Sequence, residues 1–233
     1  MSNMIKTPDE ILRIMKAAAM GDMCFSYILE FIRPGMTEIE VADEIERFLF
    51  GLGAEGLSFP TICVSGINTT QPHGEPSDKV IEEGDFVTMD FGAVVEGYCG
   101  DMTRTIGIGG LSEKQKEVYD IVLRAQLAGL TACKAGVRCS HVDRVCRSII
   151  EEAGYGEYFV HGTGHGVGTE VHEAPVLNAG SEETLDTFMP VTVEPGIYIP
   201  DEFGVRIEDL AIITEFGIIN AVKSQKSLII IEK

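Results

Sequence analysis

Asp85-Phe86-Val87-Thr88-Met89-Asp90-Phe91 and Tyr98-Cys99-Gly100-Asp101-Met102-Thr103-Arg104-Thr105-Ile106-Gly107 are two apolar runs flanking a short turn. Their β-branched content and the turn between them predict an antiparallel hairpin. Residues 191–194, 197–199 and 205–214 repeat the pattern and predict a second hairpin, with short strands following at 218–222 and 228–231. Each hairpin carries two acids inside its apolar arms, Asp90 and Asp101 in the first, Glu194 and Glu208 in the second. A carboxylate in such a run either faces solvent by alternation or is buried and paired. Side chains opposed across two strands lie about 5 Å apart. Two like charges at that distance on core strands repel unless cations sit between them. The pattern points to a metal site.

Helices fill the space outside the hairpins. Thr7-Pro8-Asp9-Glu10 is a capping box with proline at the first helical position. Ile11, Ile14, Met15, Ala18, Phe25, Ile28, Leu29 and Ile32 follow at helical spacing until Pro34-Gly35 stops the run. Thr37 and Glu40 open a second helix whose apolar stripe is Ile39, Ala42, Ile45, Phe48 and Leu52, ending at Gly53. Ser112 and Gln115 open a third, running to about residue 134, and a fourth covers 140–153 and stops at Gly154. Residues 58–65 read as a further strand. The fold class is therefore α+β.

A shift of about 100 residues lays Pro34-Gly35-Met36 on Ala135-Gly136-Val137, Val41 on Val142 and Gly53 on Gly154. Helix 38–52 with hairpin 85–107 is then repeated as helix 140–153 with hairpin 191–214. Either two helices share stop signals, or the chain is a duplication. In the second case the hairpins face each other across a pseudo-twofold axis and their acids converge.

Composition narrows the function. The chain has 233 residues with 18 Lys+Arg against 37 Asp+Glu, a net charge of −19. Little here would neutralise a row of phosphates or an anionic lipid surface, so neither nucleic acid nor membrane is an expected partner. No apolar run approaches the roughly 20 residues of a membrane span, and the start MSNMIKTPDE lacks the regions of a signal peptide. A soluble cytoplasmic protein is expected. Cys24, Cys63, Cys99, Cys133, Cys139 and Cys146 are scattered without a C-x-x-C pair, which predicts buried, reduced thiols.

Four of the five histidines (His73, His161, His165, His172) lie in segments rich in glycine, proline and acids, whereas His141 begins a helix and is expected on the surface. Gly162, Gly164, Gly166 and Gly168 around His165 allow close backbone approach. Four carboxylates and one imidazole suit a pair of Mn²⁺, Co²⁺, Fe²⁺ or Zn²⁺ ions. Two such ions ~3.5–4 Å apart, bridged by carboxylates, hold a water or hydroxide whose pKa falls to about 7, a nucleophile at neutral pH.

The motif set Phe86-Val87-Thr88-Met89-Asp90-Phe91-Gly92 and Gly97-Tyr98-Cys99-Gly100-Asp101-Met102-Thr103-Arg104-Thr105 resembles that of the pita-bread-fold metallopeptidases. In the second half His161-Gly162-Thr163-Gly164-His165-Gly166-Val167-Gly168, His172-Glu173-Ala174-Pro175, Glu194-Pro195-Gly196-Ile197-Tyr198 and Gly204-Val205-Arg206-Ile207-Glu208-Asp209 agree. The resemblance begins at Ile5-Lys6-Thr7-Pro8 and covers nearly the whole chain. It implies a pseudo-twofold set of helix–hairpin units around a curved antiparallel sheet. The implied metal ligands are Asp90, Asp101, His165, Glu194 and Glu208, with Asp101 and Glu208 bridging both ions. His73 matches a histidine near the substrate and leaving group. His172 matches one that contacts the scissile carbonyl, and Glu194 is a proton shuttle as well as a ligand.

His161 and Arg206 match the proline-directed branch, prolidase and aminopeptidase P. Each also has a structural reading, Arg206 pairing with a nearby acid and His161 orienting the Gly-rich loop. The implied activity is dinuclear, metal-dependent hydrolysis of Xaa-Pro peptides near the N-terminus, with Mn or Co the leading metals and Fe or Zn the others. Removal of initiator methionine, as by methionine aminopeptidase, and a non-catalytic binding protein on the same fold are the alternatives. Residues 1–233 are expected to form a single catalytic domain with no separate N-terminal domain, a peptide as substrate and a homodimer as the assembly.

Overall fold

Thr7 and Thr37 each accept a hydrogen bond from the N–H three residues on, and Glu10 and Glu40 accept one in return from the cap backbone. The helices α1 (Pro8–Phe31) and α2 (Glu38–Gly51) therefore begin where the boxes predict. Ser112 and Gln115 do the same for α3 (Glu113–Ala132), while α4 (Cys139–Glu152) follows Arg138 with no side-chain cap. The computed structural model describes residues 4–232. On α2 the buried face is Glu38, Val41, Ala42, Ile45 and Leu49. Ile39 is exposed and Leu52 lies past the last turn, so the expected stripe is rotated. The cause is a buried carboxylate: Glu38 accepts from Ser65, Asn68 and Ser77, which draws a polar residue inward.

Two main sheets form the centre. One runs Ile230–Ile231, Met102–Ile108, Phe86–Phe91, Ile62–Ser65, antiparallel except for the parallel C-terminal strand, which is docked as its apolar run implies. The other runs Ile218–Asn220, Asp209–Ile213, Pro190–Val193, Gly164–Gly166, Glu173–Leu177, all antiparallel. A smaller pairing of Gly196–Ile199 with Phe203–Arg206 completes the second hairpin. The two predicted hairpins are present, but each has an arm broken at an acid. Residues 98–107 split into Tyr98–Cys99 and Met102–Ile108, and 205–214 into Phe203–Arg206 and Asp209–Ile213. Of 58–65 only Ile62–Ser65 is strand.

The duplication is real in three dimensions. Gly35 and Gly136 both have positive φ, and their N–H groups donate to Ile81 O and Leu185 O respectively. Glu38 N donates to Lys79 O as Cys139 N does to Glu183 O, and isolated bridges join Thr37 to Val80 and Arg138 to Thr184. Gly53 and Gly154 end the paired helices with the same left-handed turn. One apolar core lies beneath α1 and α2, a second beneath α3 and α4. All six cysteines are buried and free. No helix among the described residues is long and apolar enough to cross a membrane.

Candidate metal centre and active site

The breaks in the hairpins are where the acids sit. Asp101 lies between the two halves of its broken arm and Glu208 between those of the other, while Glu194 follows the end of Pro190–Val193. Only Asp90 is inside a strand, where it stands opposite Thr103 on one side and Ile62 on the other, so Asp101 is not its direct cross-strand neighbour. His165 sits on the short strand Gly164–Gly166, which pairs so tightly that a Cβ on Gly164 would lie 2.0 Å from Thr192 O. Glycine there is a steric necessity.

Donor atoms of Asp101, His165 and Glu208 all lie within 4.8 Å of one another. His165 Nε2 is 3.2 Å from Glu194 Oε1 and 3.6 Å from Asp101 Oδ2. Asp90, 9% exposed, stands beside them with Oδ2 held by Arg206 at 2.7 Å and Oδ1 buried without a hydrogen-bond partner among the described residues. Asp101 and Glu208 are 5% and 1% exposed, which disposes of the solvent-facing reading. These five line a cavity of about 740 Å³ together with His73, His161, His172 and Arg206, so all nine residues singled out by sequence face one space. Phe59, Pro60 and Ile62 give the same cavity an apolar wall. His73 and His172 are at its exposed side, and His141 is exposed on α4, outside the cavity lining.

Burial pushes the Asp101 carboxyl well above the usual range, and neighbouring Glu208 and Asp90 push it further. Glu208 is raised the same way, by burial and then by Glu194 and Asp90. Burial opposes the charged form of Glu194 too, but the His165 hydrogen bond and charge overcome it and bring its pKa down to about 2. His165 is raised despite burial, by the same pairing with Glu194. Burial lowers His161 and His172. Four carboxylates thus share a buried site with Arg206 and His165 as neighbouring cationic groups. An oxygen-rich set with one imidazole, no thiolate and an orphaned carboxylate oxygen fits divalent cations.

Arg206, buried at 3%, is the hub of the remaining wall. Its Nη1 donates to Tyr198 OH (2.8 Å) and Pro72 O (3.0 Å), and its Nε to Thr103 Oγ1 (3.1 Å). Tyr198 OH lies 2.8 Å from His161 Nε2, and Thr103 Oγ1 donates to Glu208 Oε2 at 2.6 Å. Both structural readings from sequence are therefore present: Arg206 pairs with Asp90, and His161 bonds Gly162 O. Thr103 and Tyr198 were not singled out by sequence, although both stand inside the quoted motifs. A hydroxyl two residues after Asp101 and a phenol four after Glu194 were the available signals.

The model of metallopeptidase family M24 matches residues 13–215. The chain is 45% identical over 225 residues to an Xaa-Pro dipeptidase of Pyrococcus furiosus, covering 97% of this chain and 65% of that one. Among solved structures, an Xaa-Pro dipeptidase from Bacillus anthracis superposes with a TM-score of 0.97 at 53% identity, covering 98% of this chain and 64% of its own. An X-Pro aminopeptidase from Thermotoga maritima does so with a TM-score of 0.95 at 42% identity, over 98% and 65%. The chain spans slightly under two thirds of the length of these relatives.

Proposed function

Because this chain belongs to metallopeptidase family M24 and has its pita-bread fold, we propose that it is a metal-dependent exopeptidase cleaving Xaa-Pro peptides near their N-terminus. One observation carries the reading: carboxylates from both halves and His165 converge on a cavity whose wall also holds His161 and Arg206. Relatives named as Xaa-Pro dipeptidases support the proline preference.

In this reading Asp90, Asp101, His165, Glu194 and Glu208 would hold two divalent ions, Asp101 and Glu208 being the candidates to serve both. When bound, such ions polarise a carbonyl and supply a nucleophile from water at neutral pH. The side chains do the rest. Glu194, beside His165, takes a proton at a carboxylate oxygen and returns it to the leaving amine. His172 offers an imidazole N–H to the scissile carbonyl, where negative charge develops. His73 stands at the rim near the leaving group. His161, held by Tyr198 OH, and Arg206, which donates one nitrogen to Asp90 Oδ2, shape the side that receives proline.

Manganese or cobalt, a cytoplasmic location, a homodimer and a single catalytic domain over 1–233 belong to the same proposal. Six free thiols support the reducing compartment. The test is turnover of Xaa-Pro, Xaa-Pro-Xaa and Met-Ala-Ser peptides with Mn²⁺ or Co²⁺ added. Xaa-Pro cleavage is expected; preference for Met-Ala-Ser makes the protein a methionine aminopeptidase instead. Retention of no divalent ion with no turnover makes it a binding protein.

A further inference from the structure

His172 faces the cavity from an exposed position, and no hydrogen bond from a described residue holds its ring. Its ring centroid lies 4.3 Å from that of His165, an edge-on contact. The backbone that carries it therefore decides where it points. That backbone is anchored through the next residue. Glu173 is buried, and its Oε2 is 2.7 Å from Lys6 Nζ, the two side chains being 4% and 5% exposed. Its Oε1 accepts from Glu170 N at 3.1 Å and Thr169 Oγ1 at 3.4 Å, closing the turn that contains His172. A Cβ on Gly168 would stand 2.4 Å from that same oxygen, so the turn is shaped around the carboxylate.

The other side of the turn is tied to the first half of the molecule. Cys99 N donates to Gly168 O at 2.8 Å and Cys99 Sγ to Thr169 O at 3.6 Å, two residues before Asp101. Gly100 packs on α1, where a Cβ would lie 2.9 Å from the Ala17 carbonyl carbon. Lys6 itself is fixed by its N–H to Phe188 O at 2.9 Å, one residue before the Thr7 cap of α1. A buried ion pair is weak evidence for stability, since desolvation opposes the attraction. Retaining one beside an active-site turn calls for another purpose.

We propose, on the reading of the protein as a peptidase, that the buried Lys6–Glu173 pair is a positioning device for His172, which makes residues ahead of α1 a working part of the active site. The pair fixes the turn from beneath, Cys99 fixes it from the side that bears Asp101, and His172 is left projecting into the cavity at a set distance from His165. Misplacing a reacting or stabilising group by about 1 Å can cost roughly 100-fold in rate.

The experiment uses the full chain loaded with Mn²⁺. Lys6→Met keeps the stem and removes the charge; kcat for an Xaa-Pro peptide is expected to fall about 10- to 100-fold with little change in KM. Lys6→Arg should retain most of the activity. Lys6→Met with Glu173→Gln removes both charges of the pair, so Tm should recover while kcat stays low, a split that a merely structural role would not give. If the single variant fails to fold, this double variant carries the measurement. In a His172→Ala background Lys6→Met should cost no further kcat, because the two act through one group.

Equal losses with and without His172, or full kcat in folded Lys6→Met, would overturn the proposal. Amide exchange gives a readout free of turnover: residues 168–174 should exchange at least about tenfold faster in Lys6→Met while Ile62–Ser65 stays protected. If the wild-type chain cleaves no Xaa-Pro peptide, the peptidase reading fails by itself. Unchanged exchange at 168–174 would then still count against the positioning role.

Discussion

Asp90 is the candidate ligand that arrives with a cation already attached. Arg206 spends one nitrogen on Asp90 Oδ2 and the others on Tyr198, Pro72 O and Thr103, so one guanidinium aligns the strand acid, the phenol that holds His161 and the hydroxyl that holds Glu208. Lysine has the charge but not the fork. Arg206→Lys is therefore expected to lower activity or metal affinity roughly 10- to 100-fold, the usual cost of losing a partner behind the ligands. Titration of turnover against Mn²⁺ checks it. Asp101→Ala and Glu208→Ala should remove hydrolysis and metal retention together, while His141→Ala, exposed on α4, should leave both intact. Metal content after gel filtration, measured beside activity, separates the outcomes.

A different carboxylate reports on stability. Glu10 accepts from Tyr98 OH and from the Thr7 cap, and these bonds lower its pKa from 4.5 to about 2. A carboxyl whose folded pKa is depressed stabilises the fold above the unfolded value and loses that contribution as pH falls. The stability gap between wild type and Glu10→Gln should be complete above about pH 4.5 and close as pH drops toward about 2. Denaturant curves across that interval measure it; a gap that widens on acidification would contradict the sign.

At the scale of elements, what could be read from sequence is what local chemistry encodes. Thr7, Thr37 and Ser112 announce helix starts because a side-chain oxygen and an acid or amide three residues later satisfy free N–H groups. The hairpin arms show because these strands are buried along their whole length and rich in apolar and β-branched residues. What alternation could not give is the position of Asp101 and Glu208 at strand breaks, where leaving the ladder frees a side chain to turn into the cavity. Gly164–Gly166 was also illegible as a strand, since His161-Gly162-Thr163-Gly164-His165-Gly166 has the composition of a loop. Its strand character comes from tight neighbours, not propensity. That distinction is measurable. Gly164→Ala drives a Cβ to 2.0 Å from Thr192 O, whereas Gly136→Ala meets nothing within 4 Å and only strains a φ of +85°. The first should lose about 3 kcal/mol or more and disturb His165, the second about 1 kcal/mol with activity kept. Urea unfolding alongside turnover distinguishes them.

Across the whole molecule, the site sits on the seam of a duplication. Asp90 and Asp101 come from the first half, His165, Glu194 and Glu208 from the second, so each half carries an incomplete set. Beside Arg206, a second buried guanidinium ties the two halves together: Arg104, 1% exposed, pairs with Asp209 at 2.7 Å and donates to the carbonyl of Glu208. It also reaches Ser224 O and Gln225 O, drawing the C-terminal segment over the same joint. Arg104 touches none of the candidate ligands' carboxylates, and Arg206 reaches only that of Asp90. Cations bound between the acids would supply what the two arginines do not, and binding only to the folded state stabilises it by RT ln(1 + [L]/Kd), about 2.7 kcal/mol per ion at a hundredfold excess over Kd. Calorimetry should show Tm rising with Mn²⁺ concentration and falling back with EDTA, and the rise should vanish in Asp101→Ala, which removes one of the two candidate ligands of the first half. A Tm indifferent to metal in the wild-type chain would mean that the acids from the two halves are not joined by cations at all.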